Sequence, residues 1–288
     1  MDAIDAVDCR RFGRVPGLWT QTQPGRCRSE PRWVMFDAAL RAELVPTGRL
    51  RVSLNMANPV LAQSHTAPEK PAGVTIDLSR ELARRLDVEL DFLQWESPGD
   101  SVLALARGLA DVGYLAVDPK RAEQVQFTAP YVQIEACYMV GKNSHLRDQF
   151  EVDHPGVEVL VIETSAYDLY LTRNLQHASI VRLPTAEDVL QKLLRDTTGL
   201  SVAAGIKQAL LAQARRVGGL RLLDGHFMAI QQAMVLPRNI GVSARAAVEA
   251  FLAEMVSSGF IAESLARHQI AGVTVIDPRD PNSLSIAH

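Results

Sequence analysis

Short aliphatic runs alternate with amphipathic segments over most of this 288-residue chain. In the first half, the pattern predicts strands at residues 50–55, 88–92 and 112–117. Helices are predicted between them, at residues 76–86 and 102–109. Strands that alternate with helices favour mostly parallel sheets that helices cover on both faces. The sequence therefore predicts an α/β fold.

The same alternation restarts after residue 138. Further strands are predicted at residues 157–162, 179–183, 200–204 and 220–223, and further helices at residues 166–173, from Thr185, at 207–215 and at 248–255. Thr185 has Asp188 three residues later, which is typical of a capped helix start. A chain of this length holds about two domains, or one large one.

The composition excludes several classes of protein. Lys and Arg number 30 against 33 Asp and Glu, which gives a net charge of −3, so the basic surplus of a nucleic-acid binder is missing. The longest stretch without these four residue types is residues 52–68, and its Asn, Gln, His and Pro residues do not suit a membrane-spanning helix. The three cysteines form no CxxC motif, so neither a disulfide framework nor a cysteine metal site is predicted.

Motifs of common catalytic and cofactor sites are missing from the sequence. There is no GxGxxG or GxxxxGK[ST] phosphate loop, no GxSxG nucleophile elbow, and no HxxxH pair or acidic ligand cluster. No cofactor and no metal ion are therefore predicted. Non-covalent binding of a small ligand is the function class that these observations favour.

Residues 1–47 are predicted to be an N-terminal extension, and residues 278–288 a C-terminal tail. The extension contains several Pro and Gly residues and has no sustained apolar period. Asp2, Asp5 and Asp8 stand where an export signal has basic residues, so no signal peptide is recognisable. Two interpretations stay open, namely a disordered segment and a translation start placed too far upstream.

Three segments carry a resemblance to a known family. They are LRVSLNMANPVLA at the first strand, GVTIDLSRELARRL at the first helix, and DVGYLAVDPKRAEQVQFTAPY at residues 111–131. In this order and spacing the chain resembles the bacterial extracellular solute-binding proteins of the amino-acid-binding family. These proteins are the ligand receptors of ABC importers. The resemblance covers residues 48–276.

The resemblance implies the periplasmic-binding-protein type 2 fold, with two Rossmann-like α/β lobes joined by two hinge strands. Lobe one is expected at residues 48–133 plus 233–277 and lobe two at residues 134–232, with crossovers near 132–134 and 230–232. It also implies a monomer in the periplasm that delivers a small carboxylate or amino-acid ligand to an ABC permease of the inner membrane. Because no export signal is recognisable, a cytoplasmic location stays open.

The resemblance also implies a ligand site between the lobes. Arg121 matches the arginine that binds the ligand carboxylate in the family, and a guanidinium forms a planar, two-pronged match to that group. Thr164 and Ser165 match hydroxyl positions at a helix start that bind the same carboxylate. Asn55 and Asn58 follow the first strand and are added as ligand-binding candidates.

Several positions depart from the family pattern. Ala116 stands where a Ser or Thr commonly binds, and Glu163 replaces a glycine. The turn at residues 204–207 lacks the acid that pairs with the ligand's ammonium. Either Glu163 pairs with the ammonium of an amino acid, which is the preferred interpretation, or Lys207 faces the cleft and binds a second anionic or polar end.

Two alternatives from other classes remain. Cyclohexadienyl dehydratases share this fold and use a cleft carboxylate as proton donor, for which Glu163 and Asp168 are the acids to consider. However, Ala166 occupies the place of the catalytic glutamate in that group, so a non-enzymatic role is preferred. Ligand-sensing domains of LysR-type regulators also share the fold, but the Pro- and Gly-rich extension does not supply their helix-turn-helix.

Overall fold

The structure, a computed structural model, describes residues 36–64 and 71–277. The helices of this part are α1 (Ala38–Leu44), α2 (Val74–Leu86), α3 (Pro98–Ala106), α4 (Pro119–Ala122), α5 (Ala166–Asn174), α6 (Ala186–Leu194), α7 (Lys207–Val217), α8 (Val242–Ser257) and α9 (Phe260–Arg267). The strands are β1 (Arg49–Asn55), β2 (Gln63–Ser64), β3 (Pro71–Ala72), β4 (Glu89–Trp95), β5 (Val112–Ala116), β6 (Val125–Gly141), β7 (Glu158–Ile162), β8 (Ser179–Leu183), β9 (Ser201–Ile206), β10 (Leu220–Leu222), β11 (Met228–Pro237) and β12 (Val273–Val275). The predicted α/β alternation is confirmed.

The main sheet has two parallel ends and an antiparallel centre. Its strand order is β4-β1-β5-β11-β6-β9-β7-β8, with β10 and β12 also paired to β6. At one end β1 is parallel to β4 and β5, and at the other end β7 is parallel to β8 and β9. Each parallel end is the sheet of one α/β lobe, so the predicted fold class is confirmed.

The long antiparallel strands β6 and β11 connect the two lobes. β11 pairs with β5 of lobe one, and β6 pairs with β9 of lobe two. The predicted crossover segments 132–134 and 230–232 are direct partners, with Ile134 opposite Ile230. Residues 273–275 of β12 pair with the same segment of β6. The lobe boundaries given above remain a prediction.

The apolar stripes that predicted the helices face the core. Leu78, Leu82 and Leu86 of α2 are fully buried, as are Val248 and Phe251 of α8. Each helix therefore covers the sheet with the face that its sequence period selects. Within the described residues, no helix is both long and apolar enough to cross a lipid bilayer.

Helix α3 begins earlier than its apolar pattern indicates. The expected helix was residues 102–109, but α3 spans Pro98–Ala106. Ser97 caps its start by accepting a hydrogen bond from the backbone N–H of Asp100, and Pro98 occupies the first turn. Proline is favoured there because the first-turn N–H groups have no partner within the helix. The capping residues, not the first apolar residue, mark the boundary.

Residues 36–47, predicted to belong to the extension, are part of the folded lobe. Phe36, Leu44 and Val45 are buried in the main core, and α1 packs against α8. Glu43 Oε1 accepts a hydrogen bond from the backbone N–H of Gly241. The prediction is therefore corrected for these residues, because one helix of seven residues is too short to show a clear period. The predictions for residues 1–35 and for the tail 278–288 lie outside the described residues.

The burial of α1 can be tested by truncating one side chain. Leu44 is 1% exposed, so Leu44→Ala removes buried methyl groups and leaves a cavity, at an expected cost of about 2–5 kcal/mol in the free energy of unfolding. Leu109, which is 50% exposed, supplies the matched control, since Leu109→Ala should change that free energy by less than about 0.5 kcal/mol. Chemical denaturation measures both variants. Equal effects would show that α1 does not contribute to the core.

Candidate functional site

A small cavity lies between the two lobes. Its volume is about 30 Å3, so the lobes are closed on each other at this point. The lining residues are Asn55, Ala57, Asn58, Pro98, Ala116 and Arg121 from lobe one, Ile162, Ser165, Ala166, Tyr167 and Ile206 from lobe two, and Ile230 and Gln232 from the connecting strand β11. Five of the eight predicted site residues are in this lining: Asn55, Asn58, Ala116, Arg121 and Ser165.

Arg121 places a buried guanidinium between the lobes. It lies on α4, a single turn that Asp118 caps and Pro119 begins, and the whole residue is only 5% exposed. Nη1 donates to the carbonyl of Ala116 at 3.0 Å, and Nη2 donates to the carbonyl of Thr164, across the cleft, at 2.9 Å. Burial lowers the pKa of Arg121 to about 10, against an opposing effect of Asp118. Within the described residues, the guanidinium of this cation therefore hydrogen-bonds to neutral carbonyl oxygens.

The acid closest in sequence to Arg121 is held by other groups. The carboxylate of Asp118 accepts hydrogen bonds from the backbone N–H groups of Lys120 and Arg121 at the start of α4. Its second oxygen accepts a hydrogen bond from Arg173 Nη2 of α5 at 2.8 Å. This ion pair joins lobe one to lobe two. It also leaves the Arg121 guanidinium available for an external carboxylate.

Thr164 contacts lobe one through two groups, its carbonyl and its hydroxyl. Its φ of 60° is in the left-handed region, which is unusual for a β-branched residue. This conformation directs its carbonyl to Arg121 and its N–H to Asp168 Oδ2, at 2.9 Å each. Its Oγ1 accepts the backbone N–H of Gly99 at the start of α3. In this closed form the hydroxyl therefore contacts lobe one, and its predicted contact with the ligand remains a prediction.

Ser165 is the cap of α5 and lines the cavity. Its Oγ accepts the backbone N–H of Asp168 at 3.1 Å, and the hydroxyl of the buried Tyr167 hydrogen-bonds to the Ser165 side chain. Desolvation by burial raises the pKa of Tyr167, so the phenol is neutral. Ser165 thus caps the helix and lines the cavity, and its predicted binding of the ligand carboxylate remains a prediction.

Asn55 and Asn58 present hydrogen-bond donors to the cavity. Their Oδ1 atoms accept the backbone N–H groups of Ala57 and Val60, at 3.2 Å each. Within the described part of the chain, neither amide nitrogen has a hydrogen-bond partner, and both residues line the cavity. Two amide donors and one guanidinium in the same cavity suit an anionic ligand.

Glu163 and Lys207 lie away from the cavity. Glu163 is exposed and is absent from the lining residues. Lys207 Nζ donates to Glu135 Oε2 at 2.6 Å, and this hydrogen bond raises the pKa of Lys207. Neither Glu163 nor Lys207 therefore lines the cavity, as the two interpretations for the second end of the ligand require. The reason is geometric, since each side chain leaves the turn in a direction that a sequence does not reveal.

Sequence reasoning missed eight lining residues, among them Tyr167, Ile206, Ile230 and Gln232. Ile230 and Gln232 were recognised only as part of a crossover, although strands that pass between lobes necessarily border the cleft. Tyr167 is the second residue after the Ser165 cap of α5, so the capping signal in the sequence could have identified it as a lining residue. Among the described residues, no cluster of His, Cys, Asp and Glu is arranged to hold a metal ion.

Two α/β lobes that close on a buried guanidinium define a binding protein of the type 2 fold. The model of the bacterial extracellular solute-binding proteins, family 3, matches residues 50–269, which is well over half of the chain. The chain belongs to this family. Its members are extracellular solute-binding proteins by name, and the resemblance noted in the sequence is confirmed.

Three solved structures with the same fold are 18–21% identical to the chain. A mutant of ArgBP from T. maritima has a TM-score of 0.67 and 21% identity, covering 79% of this chain and 98% of that one. An amino acid ABC transporter substrate-binding protein from Streptococcus pneumoniae, bound to L-arginine, has a TM-score of 0.66 and 18% identity, covering 77% and 94%. An ancestral amino acid-binding protein, a precursor of cyclohexadienyl dehydratase, has a TM-score of 0.65 and 19% identity, covering 79% and 98%. No curated protein matches the sequence significantly.

The close approach of Gly99 to Thr164 allows a test of lobe closure. A Cβ added to Gly99 lies 3.0 Å from Thr164 Oγ1 and 3.4 Å from Thr164 Cγ2. Gly99→Val should therefore disfavour the closed form and increase the radius of gyration measured by small-angle scattering. Gly141→Val is the control, because a Cβ at Gly141 has no atom within 4 Å. A Gly99→Val profile identical to that of the parent chain would contradict this contact.

Proposed function

We propose that this protein is the solute-binding receptor of an ABC-type importer and that it binds a small carboxylate in the cleft between its lobes. The observation that supports this most is the Arg121 guanidinium, which is buried and hydrogen-bonded to neutral carbonyl groups. A buried cation is strongly unfavourable unless it is paired. A ligand carboxylate supplies the missing negative charge.

The same contacts suggest how the ligand is enclosed. Arg121 belongs to lobe one and reaches the start of α5 in lobe two, where Ser165 lines the cavity. The cavity is about 30 Å3, so a solute enters only when the lobes separate. Rotation at the connecting strands then closes the lobes on it. A ligand that contacts both lobes stabilises the closed form, because only that form offers all of its contacts.

Family membership supports a proposal for the protein's location and its partners. We propose that the chain acts in the periplasm as a monomer and delivers its solute to an inner-membrane permease. The L-arginine in one structural neighbour makes amino acids one candidate ligand class, and related organic acids are the other. Both classes contain the carboxylate that Arg121 requires.

A dehydratase function has less support than binding. Asp168, one of the two acids considered as proton donor, accepts hydrogen bonds from the Thr164 N–H and from Arg182. The other acid, Glu163, is exposed and does not line the cavity. Neither carboxylate is positioned to protonate a bound ligand. Incubation with prephenate or arogenate provides a direct check, and turnover of either compound would overturn the binding proposal.

The role of Arg121 leads to a quantitative expectation. Arg121→Ala should weaken carboxylate binding by about 2–5 kcal/mol, or roughly 30- to several-thousand-fold in Kd, because it leaves the ligand charge unpaired. Arg121→Lys should recover only part of this loss, since an ammonium lacks the planar fork of the guanidinium. Calorimetry measures the affinities, using the best ligand from a thermal-shift screen of amino acids, dicarboxylates and aromatic acids.

Arg245→Ala is the matched control for this experiment. Arg245 is also a lobe-one arginine, but it is partly exposed and pairs with Glu249 on the surface of α8. Its removal should leave the Kd within about twofold, as expected for a surface ion pair far from the ligand. Retained affinity in Arg121→Ala, within threefold of the parent, would rule out the proposed clamp.

A further inference from the structure

We infer that the solute combines its carboxylate with an uncharged, apolar remainder and has neither an α-ammonium nor a cationic side chain. The inference rests on the proposed function and narrows its ligand class. It starts from a second cavity, of about 230 Å3, that adjoins the Arg121 cavity. Four residues line both cavities: Ala57, Ile162, Tyr167 and Ile206. The two spaces are therefore neighbouring parts of one cleft.

The larger cavity is suited to an apolar group. It is bounded by the loop after β1 on one side and by α6, β9 and α7 on the other. Val189, Ala204 and Leu210 contribute small or aliphatic side chains, and Gln213 is a neutral polar residue at this site. Among the described residues that line either cavity, Arg121 is the one with a charge. Its guanidinium is at the small cavity, so the large cavity has uncharged walls.

Three acids on the elements around the small cavity are paired with basic residues. Asp118 pairs with Arg173, Asp168 pairs with Arg182, and Glu135 pairs with Lys207. Glu163 is exposed and lines neither cavity. An α-ammonium on a ligand held by Arg121 is separated from the carboxylate by a single carbon atom, so it stays within the small cavity. That cavity has no carboxylate to receive it.

The neutral polar residues of the small cavity supply no negative charge, although the amide oxygen of Gln232, which also lines it, is a neutral acceptor. The Oδ1 atoms of Asn55 and Asn58 already accept backbone N–H groups, so these residues direct donors at the ligand. The Oγ of Ser165 accepts a backbone N–H as well. Donors suit a carboxylate and repel an ammonium, and a buried ammonium without a carboxylate partner is strongly unfavourable. An apolar tail, by contrast, gains from leaving water for the larger cavity.

Matched pairs of ligands test this inference on the full-length chain. Isocaproate has the carboxylate and carbon skeleton of L-leucine without the ammonium, and hydrocinnamate relates to L-phenylalanine in the same way. Calorimetry should show the desamino acid of at least one pair binding at least about tenfold more tightly than its amino acid. Acetate, which has no tail, should bind about a hundredfold more weakly than isocaproate.

The outcomes separate this inference from the proposed function. Equal or tighter binding of the amino acids, with affinity lost in Arg121→Ala, overturns the apolar-ligand inference and leaves the carboxylate receptor standing. Binding that is unchanged in Arg121→Ala, or no binding of any acid in the panel, overturns both. Desamino acids that bind more tightly and require Arg121 support both.

A variant pair provides a second readout at the wall that the two cavities share. Ile206→Asp adds a carboxylate there, and Ile206→Asn adds a polar group of the same size without the charge. Relative to Ile206→Asn, Ile206→Asp should shift the preference towards L-leucine over isocaproate by at least about tenfold. Identical preferences in the two variants would show that charge in this wall does not select the ligand. The comparison of ligands on the unaltered chain does not depend on either variant folding.

Discussion

The buried guanidinium of Arg121 is the group on which the organisation of the cleft depends. A cation that is 5% exposed needs acceptors, and it has one from each lobe, the carbonyls of Ala116 and Thr164. The left-handed backbone at Thr164 presents the second of these carbonyls. Two hydrogen bonds within lobe two support that conformation, from the Thr164 N–H to the Asp168 carboxylate and from the Asp168 N–H to the Ser165 hydroxyl. Backbone geometry in lobe two thus follows from the need to satisfy a charge in lobe one.

Pairing of the surrounding acids has a consequence for recognition. Asp118, Asp168 and Glu135 each form an ion pair with a basic residue, and the first pair also links the lobes. These pairs lower the cost of burying or partly burying the carboxylates. They also remove negative charge from the cleft, so its electrostatic preference is set by Arg121 and by amide donors. The Asp118–Arg173 pair, which joins the closed lobes, therefore also helps to bias the site towards anions.

Local sequence signals predicted most of the secondary structure because their physical causes are local. The apolar period of α2 and the cap at Thr185 depend on residues within a few positions of each other. Two errors have equally clear causes. Helix α3 begins at its Ser97 cap and not at its first apolar residue, and α1 is too short to show a period although its Leu44 is buried. Packing against α8, a distant segment, stabilises α1.

For the candidate site too, local sequence predicted some features and tertiary contacts decided the others. By itself, the sequence determined the α/β fold, the family resemblance and the position of Arg121, since each depends on residue order and spacing. Tertiary structure decided what each side chain faces. It turned the Thr164 hydroxyl to Gly99, paired Lys207 with Glu135, and left Glu163 exposed. Contacts between lobes join residues that are far apart in the chain, so no local pattern specifies them, and the charge of the cleft is therefore a property of the folded protein alone.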